Sequence, residues 1–417
     1  MSLTYLEKTV LTDQQKTIIK QTVPVLQAHG EALTRHFYER MFRVNPEVRD
    51  YFNPAHQRSG SQQRALAGAI LAYAQHIDNP AVLGDAVELI AQKHASLNIQ
   101  PEHYPIVGDN LLASIREVLG EAATDDIIDA WAAAYAVLAD IFIVREEQIY
   151  STQDNVYGWH GFKSFVVDRR EKNSDNITSF YLKPLDGQPL AAHAPGQYIT
   201  IRATLANGQA VMRNYSLSNP PGSDYYRISV KREPAAAAQA PNGIFSNYLH
   251  DRIDIGDRVE LSPPCGEFTL EMPDNDNKAL VFIAGGVGVT PIISMLHAAV
   301  KNSNSTRPII FIQGALNGAV QAFSDELKAL KTKHPNLSVH VRYDAPREAD
   351  RAAGLHDSEG LIDATLLDEM VGEQLAAYYF CGPTPMLEHV HALLRERGVP
   401  EQDLHYEFFG PGGQLAA

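Results

Sequence analysis

The chain has 417 residues, 45% hydrophobic and 20% charged, a globular composition that excludes a disordered or fibrous chain. At roughly 150 residues per domain, that length suggests about three domains. Lys plus Arg number 35 and Asp plus Glu 50, for a net charge of −15. Such acidity argues against nucleic acid or an anionic membrane surface as main partner, because both need a basic face.

Only two cysteines occur, Cys265 and Cys381, too few for a disulfide framework or a four-ligand metal site. They fit a reducing cytoplasm, the expected location. The first ten residues lack a signal-peptide layout. No apolar run is expected to reach the length of a membrane span.

From Thr12 to Tyr150 the apolar period is helical. Leu33, Phe37, Met41 and Val44 form one stripe, and Ile127, Trp131, Tyr135, Leu138 and Phe142 another. Pro46, Pro54 and Pro101 punctuate the run, since the residue before proline resists the helical region. The polar stretch 151–157, ending at Gly158, reads as a linker. Beyond it the period changes. Tyr226, Ile228 and Val230 alternate with Arg227, Ser229 and Lys231, as in a half-buried strand. Ile199–Ile201, Val259–Leu261 and Phe268–Leu270 look similar, with turns at Asp186-Gly187, Asn207-Gly208, Pro221-Gly222 and Gly256-Asp257 between them. Short strands at that spacing predict an antiparallel β-barrel. The Ala-rich insert 234–241 reads as a loop.

After Asp274, strands at 280–284, 308–312, 339–343, 378–381 and 404–408 alternate with helices such as the one through Phe323, Leu327 and Leu330. That is the signature of a doubly wound α/β domain, whose ligand cleft lies at the carboxyl ends of its strands. The expected division is 1–150 all-α, 151–157 linker, 158–273 barrel and 274–417 α/β.

Gly285-Gly286-Val287-Gly288-Val289-Thr290-Pro291 follows a strand and opens a helix. Its glycines admit a pyrophosphate and its helix dipole favours an anion, with Thr290 as N-cap and Pro291 first in the helix. A tight structural turn would look the same, and the spacing is not G-x-G-x-x-G. A second turn, Cys381-Gly382-Pro383, ends another strand of that sheet, which raises the odds of a dinucleotide site. In the barrel, Arg213 and Tyr215 share a strand face, where an arginine can hold a diphosphate and a ring can stack on a flat cofactor. A plain cross-strand pair would look alike.

Arg213-Asn214-Tyr215-Ser216 resembles the R-x-Y-[ST] flavin motif of the ferredoxin–NADP reductase family. Tyr198 in Gly196-Gln197-Tyr198 precedes it, and Gly243-Ile244-Phe245-Ser246 follows, like that family's phosphate turn. Residues 285–291 resemble its nicotinamide motif, and Cys381, Gly382 and Pro383 its nicotinamide-side turn.

In the helical region His94 shares a stripe with Ile90 and Leu97; Tyr104 follows the Pro101 break, and Glu146 lies one turn after Phe142 on an apolar face. A carboxylate there is costly without a partner. His94 reads either as a core histidine bonded to a backbone carbonyl or as a metal ligand with a carboxylate behind it. The order Phe37-Tyr38, Phe52, Gln62, Leu66, His94, Tyr104, Glu146 resembles a bacterial globin domain, and the whole chain resembles the flavohaemoglobin family of nitric-oxide dioxygenases.

That resemblance implies haem b, FAD and NADH as cofactors. His94 would be the axial ligand, with Tyr104 and Glu146 as a relay raising its basicity. Tyr38 would donate a hydrogen bond to dioxygen, Phe52 would pack on the porphyrin, and Gln62 and Leu66 would line the distal side. Lys93 and Glu407 would pair between haem and flavin domains, unless each is an ordinary surface charge. Tyr198, Arg213, Asn214, Tyr215 and Ser216 would hold the flavin, with Gly243 and Ser246 at its phosphates. Phe408, Phe409, Gly410 and Pro411 would cover its ring. Gly286, Val287, Gly288, Val289, Thr290 and Pro291 would hold the nicotinamide nucleotide.

The strand ending at Gln313 is followed by Gly314-Ala315-Leu316-Asn317, without Arg or Lys. A 2′-phosphate needs a basic residue near the ribose, so NADPH is the less preferred donor. The implied activity is nitric-oxide dioxygenation to nitrate, with electrons passing from NAD(P)H through FAD to haem. The alternatives are a dioxygen-binding or sensing globin with an attached haem reductase, and a haem-free reductase with a regulatory helical domain. Expected partners are the small molecules O2 and NO, with no nucleic acid and no stable membrane association, and the expected state is a monomer.

Overall fold

The computed structural model describes residues 10–205, 208–233, 243–272, 278–301 and 307–410. Pro411, Asn207, the insert 234–241 and the 273/274 boundary lie outside the described residues.

The chain forms two compact units, the first essentially the helical part through Gly161. It contains α1 (Asp13–Val44), α2 (Pro54–Arg58), α3 (Ser61–Gln75), α4 (Gly84–Ser96), α5 (His103–Leu119) and α6 (Asp125–Tyr157), with 3-10 turns at Pro46–Tyr51 and Pro80–Leu83. Thr12 and Gln15 close a capping box on α1, and the Thr124 side chain accepts from the Ile127 amide to start α6. Pro46 and Pro54 each open a new helical piece, as their punctuation predicts. Leu33, Phe37 and Met41 are buried, but Val44 is exposed at the end of α1, so that stripe stops one turn early.

Two expectations are corrected here. The stretch 151–157 is not an irregular linker but the end of α6. It holds no glycine or proline, and the helix stops only at Gly158, which takes a left-handed φ of +83°. Also, α6 is long and apolar enough by length and composition to cross a membrane. Here it is a core helix: Trp131, Ala134 and Phe142 are buried in the apolar clusters of the helical unit.

The second unit begins at Phe162. Its first sheet holds β1 (Lys163–Lys172), β2 (Ile177–Pro184), β3 (Tyr198–Thr204), β4 (Ala210–Ser216), β5 (Tyr226–Lys231) and β6 (Arg258–Leu261), with α7 (Ile244–Arg252) between the last two. The strand order is β4-β3-β6-β1-β2-β5. An antiparallel bridge from Leu217 to Ile228 joins the two ends of that order and closes the barrel.

The alternation in β5 misleads. Arg227 is 5% exposed and Ser229 2%, so both faces of the strand are buried. Ser229 pairs with Ser179 at 2.6 Å and Ser218 at 2.9 Å, and Arg227 binds Glu326 through two hydrogen bonds. Polar residues on a strand signal solvent only when no partner meets them inside. Phe268–Leu270 joins no named strand; the Leu270 amide bonds Pro195 O at 3.1 Å and both apolar side chains pack on the core of the following domain.

That domain runs β7 (Ala279–Gly285), α8 (Val289–Lys301), β8 (Ile309–Ala315), α9 (Ser324–Lys333), β9 (Leu337–Tyr343), α10 (Glu348–Ala352), β10 (Ser358–Glu359), α11 (Ala364–Met370), β11 (Ala376–Cys381), α12 (Thr384–Glu396) and β12 (Leu404–Glu407). The sheet is parallel, in the order β10-β9-β8-β7-β11-β12. One face buries Phe282 and Phe311 and the other Ile283 and Ile312, each side chain worth about 1.5–3 kcal/mol of burial. The strand order reverses direction between β7 and β11, and a cleft for a ligand lies at such a point.

Candidate functional site

In the helical unit three chemically loaded side chains meet. His94 sits in the last turn of α4, Tyr104 in the first turn of α5 and Glu146 in α6. Nδ1 of His94 is 2.7 Å from Glu146 Oε1, and the Tyr104 hydroxyl donates to the same oxygen at 2.5 Å. Tyr104 Oη also lies 3.2 Å from Nδ1. Glu146 is 2% exposed, so a charge that burial would penalise is met by two donors. Tyr135 donates to Tyr104 O at 2.7 Å and fixes the start of α5. Burial, and then the Glu146 hydrogen bond and charge, push the Tyr104 phenol well up, so it stays a donor. A carboxylate at Nδ1 assigns the proton there and leaves Nε2 with its lone pair, the donor chemistry of a metal-ligating imidazole.

Tyr38 is buried in α1, with its ring 5.0 Å from Phe37, 5.6 Å from Phe52 and 5.9 Å from Phe42. Burial raises its phenol far above the ordinary value and an interaction with the Gln62 side chain opposes that, so Tyr38 too stays protonated. Gln57 donates to Gln62 Oε1 at 3.2 Å. Leu66 and Phe52 pack on the same apolar cluster. The structure thus brings Tyr38, Gln62 and Phe52 together. It adds Phe42, whose i, i+4 spacing from Tyr38 was a readable signal, and Gln57, which had none. Lys93 is exposed beside His94, and Glu407 ends β12 with one carboxylate oxygen buried.

In the barrel, Tyr215 is stacked 6.3 Å from Phe245 at an interplanar angle of 26°, which sets β4 beside the first turn of α7. Burial raises the Tyr215 phenol, and the Arg213 guanidinium opposes that shift. Asn214 points to the opposite face and accepts from Thr200 at 3.0 Å. Ser216 is buried. Tyr198 is also buried, with its ring over Gly266, where a Cβ would stand 2.8 Å from it. Gly243 precedes α7, and Ser246 donates to Gly243 O at 3.3 Å while accepting from the Glu233 amide at 3.2 Å. An arginine, a tyrosine and a helix start in one place are groups that could hold a diphosphate. Phe408 is half-buried, Phe409 49% exposed, and the Gly410 amide bonds Phe408 O at 3.1 Å.

At the parallel sheet the glycine turn differs from expectation in one respect. Residues 286–288 form a 3-10 turn that runs straight into α8 at Val289. Thr290 therefore caps nothing; its hydroxyl donates to Val287 O at 2.9 Å, and Pro291 is the third helical residue. Gly286 has φ +53°, and a Cβ on Gly288 would overlap the Cys381 carbonyl. The 285–288 and 381–383 turns are thus packed against each other and present bare backbone at the strand ends. Burial raises the Cys381 thiol well above its usual range, which suits packing rather than nucleophilic chemistry. Among the described residues no cluster of three His, Cys, Asp or Glu side chains could hold a bare metal ion.

Fold and side chains together define a globin joined to a flavin- and nicotinamide-dependent oxidoreductase module. The globin family model matches residues 35–142, the oxidoreductase FAD-binding domain 164–270 and the oxidoreductase NAD-binding domain 282–392. A flavohemoprotein of Rhodopirellula baltica is 50% identical over 409 residues, covering 98% of this chain and all of that one. A flavohemoprotein of Halalkalibacterium halodurans is 46% identical over 98% of each. A crystal structure of flavohemoglobin from Malassezia yamatoensis with bound FAD and heme superposes with a TM-score of 0.81 at 28% identity, covering 96% of this chain and 100% of that one. The chain belongs to the flavohemoprotein family, as an NAD(P)H-dependent oxidoreductase with globin, FAD-binding and NAD-binding domains.

Proposed function

We propose that this chain is a nitric-oxide dioxygenase, converting NO and O2 to nitrate with electrons drawn from NADH. The observation that carries this reading is the His94–Glu146–Tyr104 triangle. An imidazole that only stored a neutral ligand would need no buried carboxylate at Nδ1, whereas one that pushes charge toward its ligand gains from it. A solved relative from Vibrio cholerae, the FAD/NAD-binding domain of a nitric oxide dioxygenase, is 30% identical with a TM-score of 0.52, covering 60% of this chain and 99% of that chain.

The bound groups supply the redox chemistry: haem activates dioxygen, FAD turns a two-electron donor into one-electron steps, and NADH supplies the hydride. The protein's own residues hold and tune them. His94 Nε2 would hold the iron, with Glu146 and Tyr104 raising the basicity of the ring. Phe52 would bear on the porphyrin edge, and Tyr38 with Gln62 and Leu66 would form the dioxygen side, where a protonated phenol donates a hydrogen bond. Lys93 would put a positive charge beside the haem ligand, and Glu407 a negative one at the end of β12 before the segment over the flavin. Arg213, Tyr215 and the 243–246 turn would hold the FAD diphosphate, with Tyr198 and Ser216 along the ring and residues 408–410 over its face, while the Asn214 side chain, on the opposite face, is held by Thr200. The paired turns 285–288 and 381–383, with the start of α8 at 289–291, would hold the nicotinamide nucleotide.

The test is NO consumption by the haem- and FAD-loaded protein under NADH and air. Loss of NO matched by an equal yield of nitrate supports dioxygenation. Oxygen uptake with NO left unconsumed would instead indicate a dioxygen-binding globin kept reduced by its own module.

A further inference from the structure

We infer that Arg347 and Asp350 together set the preference for NADH over NADPH. The inference rests on the reading above that the parallel-sheet domain binds a nicotinamide nucleotide. In such a sheet the adenosine ribose lies over the strand that follows the glycine turn, here β8. The segment leaving β8 carries no cation of its own. The fold brings one to it from the segment leaving β9.

The Asp344 amide donates to Ala315 O at 3.0 Å and the Ala345 amide to Leu316 O at 2.8 Å, which lays the two segments side by side. Asp350, fully buried, accepts from the Gly318 amide at 3.3 Å and from the Arg347 amide at 2.8 Å. The Arg347 guanidinium closes a fork on the same carboxylate, at 3.1 Å from Nε and 2.8 Å from Nη2. Its side chain remains 50% exposed at this edge. The neighbouring cations are matched as well, Lys172 by Asp175 and Arg342 by Asp363. Asp175 belongs to the same edge, since its amide bonds Ala319 O at 2.7 Å.

A ribose 2′-hydroxyl asks nothing of this arrangement. A 2′-phosphate brings about two negative charges and needs a cation with free donors. Here the fork of Arg347 is occupied and its charge is cancelled by a carboxylate that cannot swing away. Removing the carboxylate charge would release a cation to the edge, while removing the arginine would leave the carboxylate uncompensated.

The experiment is steady-state ferricyanide reduction by the full-length, FAD-loaded protein, with kcat/KM measured for NADPH and for NADH. In Asp350→Asn the NADPH-to-NADH ratio is expected to rise about tenfold, and in Arg347→Ala to fall, tenfold being about 1.4 kcal/mol of charge interaction. Ratios within about twofold of wild type in both variants, a difference under about 0.5 kcal/mol, would overturn the inference. If Asp350→Asn fails to retain FAD, Arg347→Ala decides alone: a fall supports the pair and no change overturns it. A wild-type protein that takes hydride from neither nucleotide would sink the oxidoreductase reading and this one with it.

Discussion

Nδ1 of His94 stands 2.7 Å from Oε1 of Glu146, a carboxylate 52 residues away in sequence and 2% exposed. The pair joins α4 to α6 and fixes which ring nitrogen is left for a metal. His94→Ala is expected to lose haem while keeping FAD. Glu146→Gln, which keeps shape and removes charge, is expected to keep haem and lower NO consumption roughly 10–100-fold, the usual cost of losing a partner behind a metal ligand. The iron–histidine stretching frequency should fall in the same variant. Normal haem content in His94→Ala would refute the axial assignment.

Arg213 lies on β4 next to Tyr215, whose ring stacks on Phe245 at the start of α7. A hydrogen bond to a charged group is worth about 1.5–3 kcal/mol, so Arg213→Ala should weaken FAD binding roughly 10–100-fold. Haem content should be unchanged. Titration of the apoprotein with FAD, followed by flavin fluorescence, measures both the loss and its size.

Gly288 faces the Cys381 carbonyl with no room for a side chain. Gly288→Ala should push the two glycine turns apart and lower kcat/KM for NADH by up to about 100-fold. The haem and FAD spectra should remain, because neither group is expected to touch that turn. An unchanged NADH parameter would place the nucleotide elsewhere.

Arg227 on β5 and Glu326 on α9 form a bidentate pair linking the barrel to the parallel-sheet domain, and His297 binds the same carboxylate. Burial pushes the Glu326 carboxyl up, but His297 and Arg227 outweigh it and bring it down to about 2. A carboxyl whose folded value is depressed adds stability above its unfolded value, and loses it as pH falls through the folded one. The advantage of wild type over Glu326→Gln should therefore be full above about pH 4.5 and shrink toward pH 2. Its full size is about 3 kcal/mol by the linkage relation. Chemical denaturation of the two proteins at pH 6 and pH 3.5 measures the difference, and an equal gap at both would refute the pairing as a stabilising contact.

What could be read from the sequence follows from locality. The glycine turns and strand runs are contiguous, so their chemistry shows in order along the chain. Glu146 betrayed itself by sitting on an apolar helical face, where only a partner justifies a carboxylate. Arg227 hid for the opposite reason: strand alternation placed it in solvent, and its partner lies 99 residues on. Arg347 was invisible to a search of the residues right after β8, because the segment leaving β9 delivers it. The end of α6 was misread because polar residues without glycine or proline can form a helix as well as a linker. Thr290 looked like a cap because the 3-10 turn before it leaves no mark in composition.

The central claim is best tested by reducing the haem- and FAD-loaded protein with NADH in air and adding a measured pulse of NO while recording the visible spectrum and the nitrate formed. The account predicts rapid conversion to the ferric haem spectrum with one nitrate per NO consumed. A spectrum unmoved by NO, or NO lost without nitrate, would contradict it.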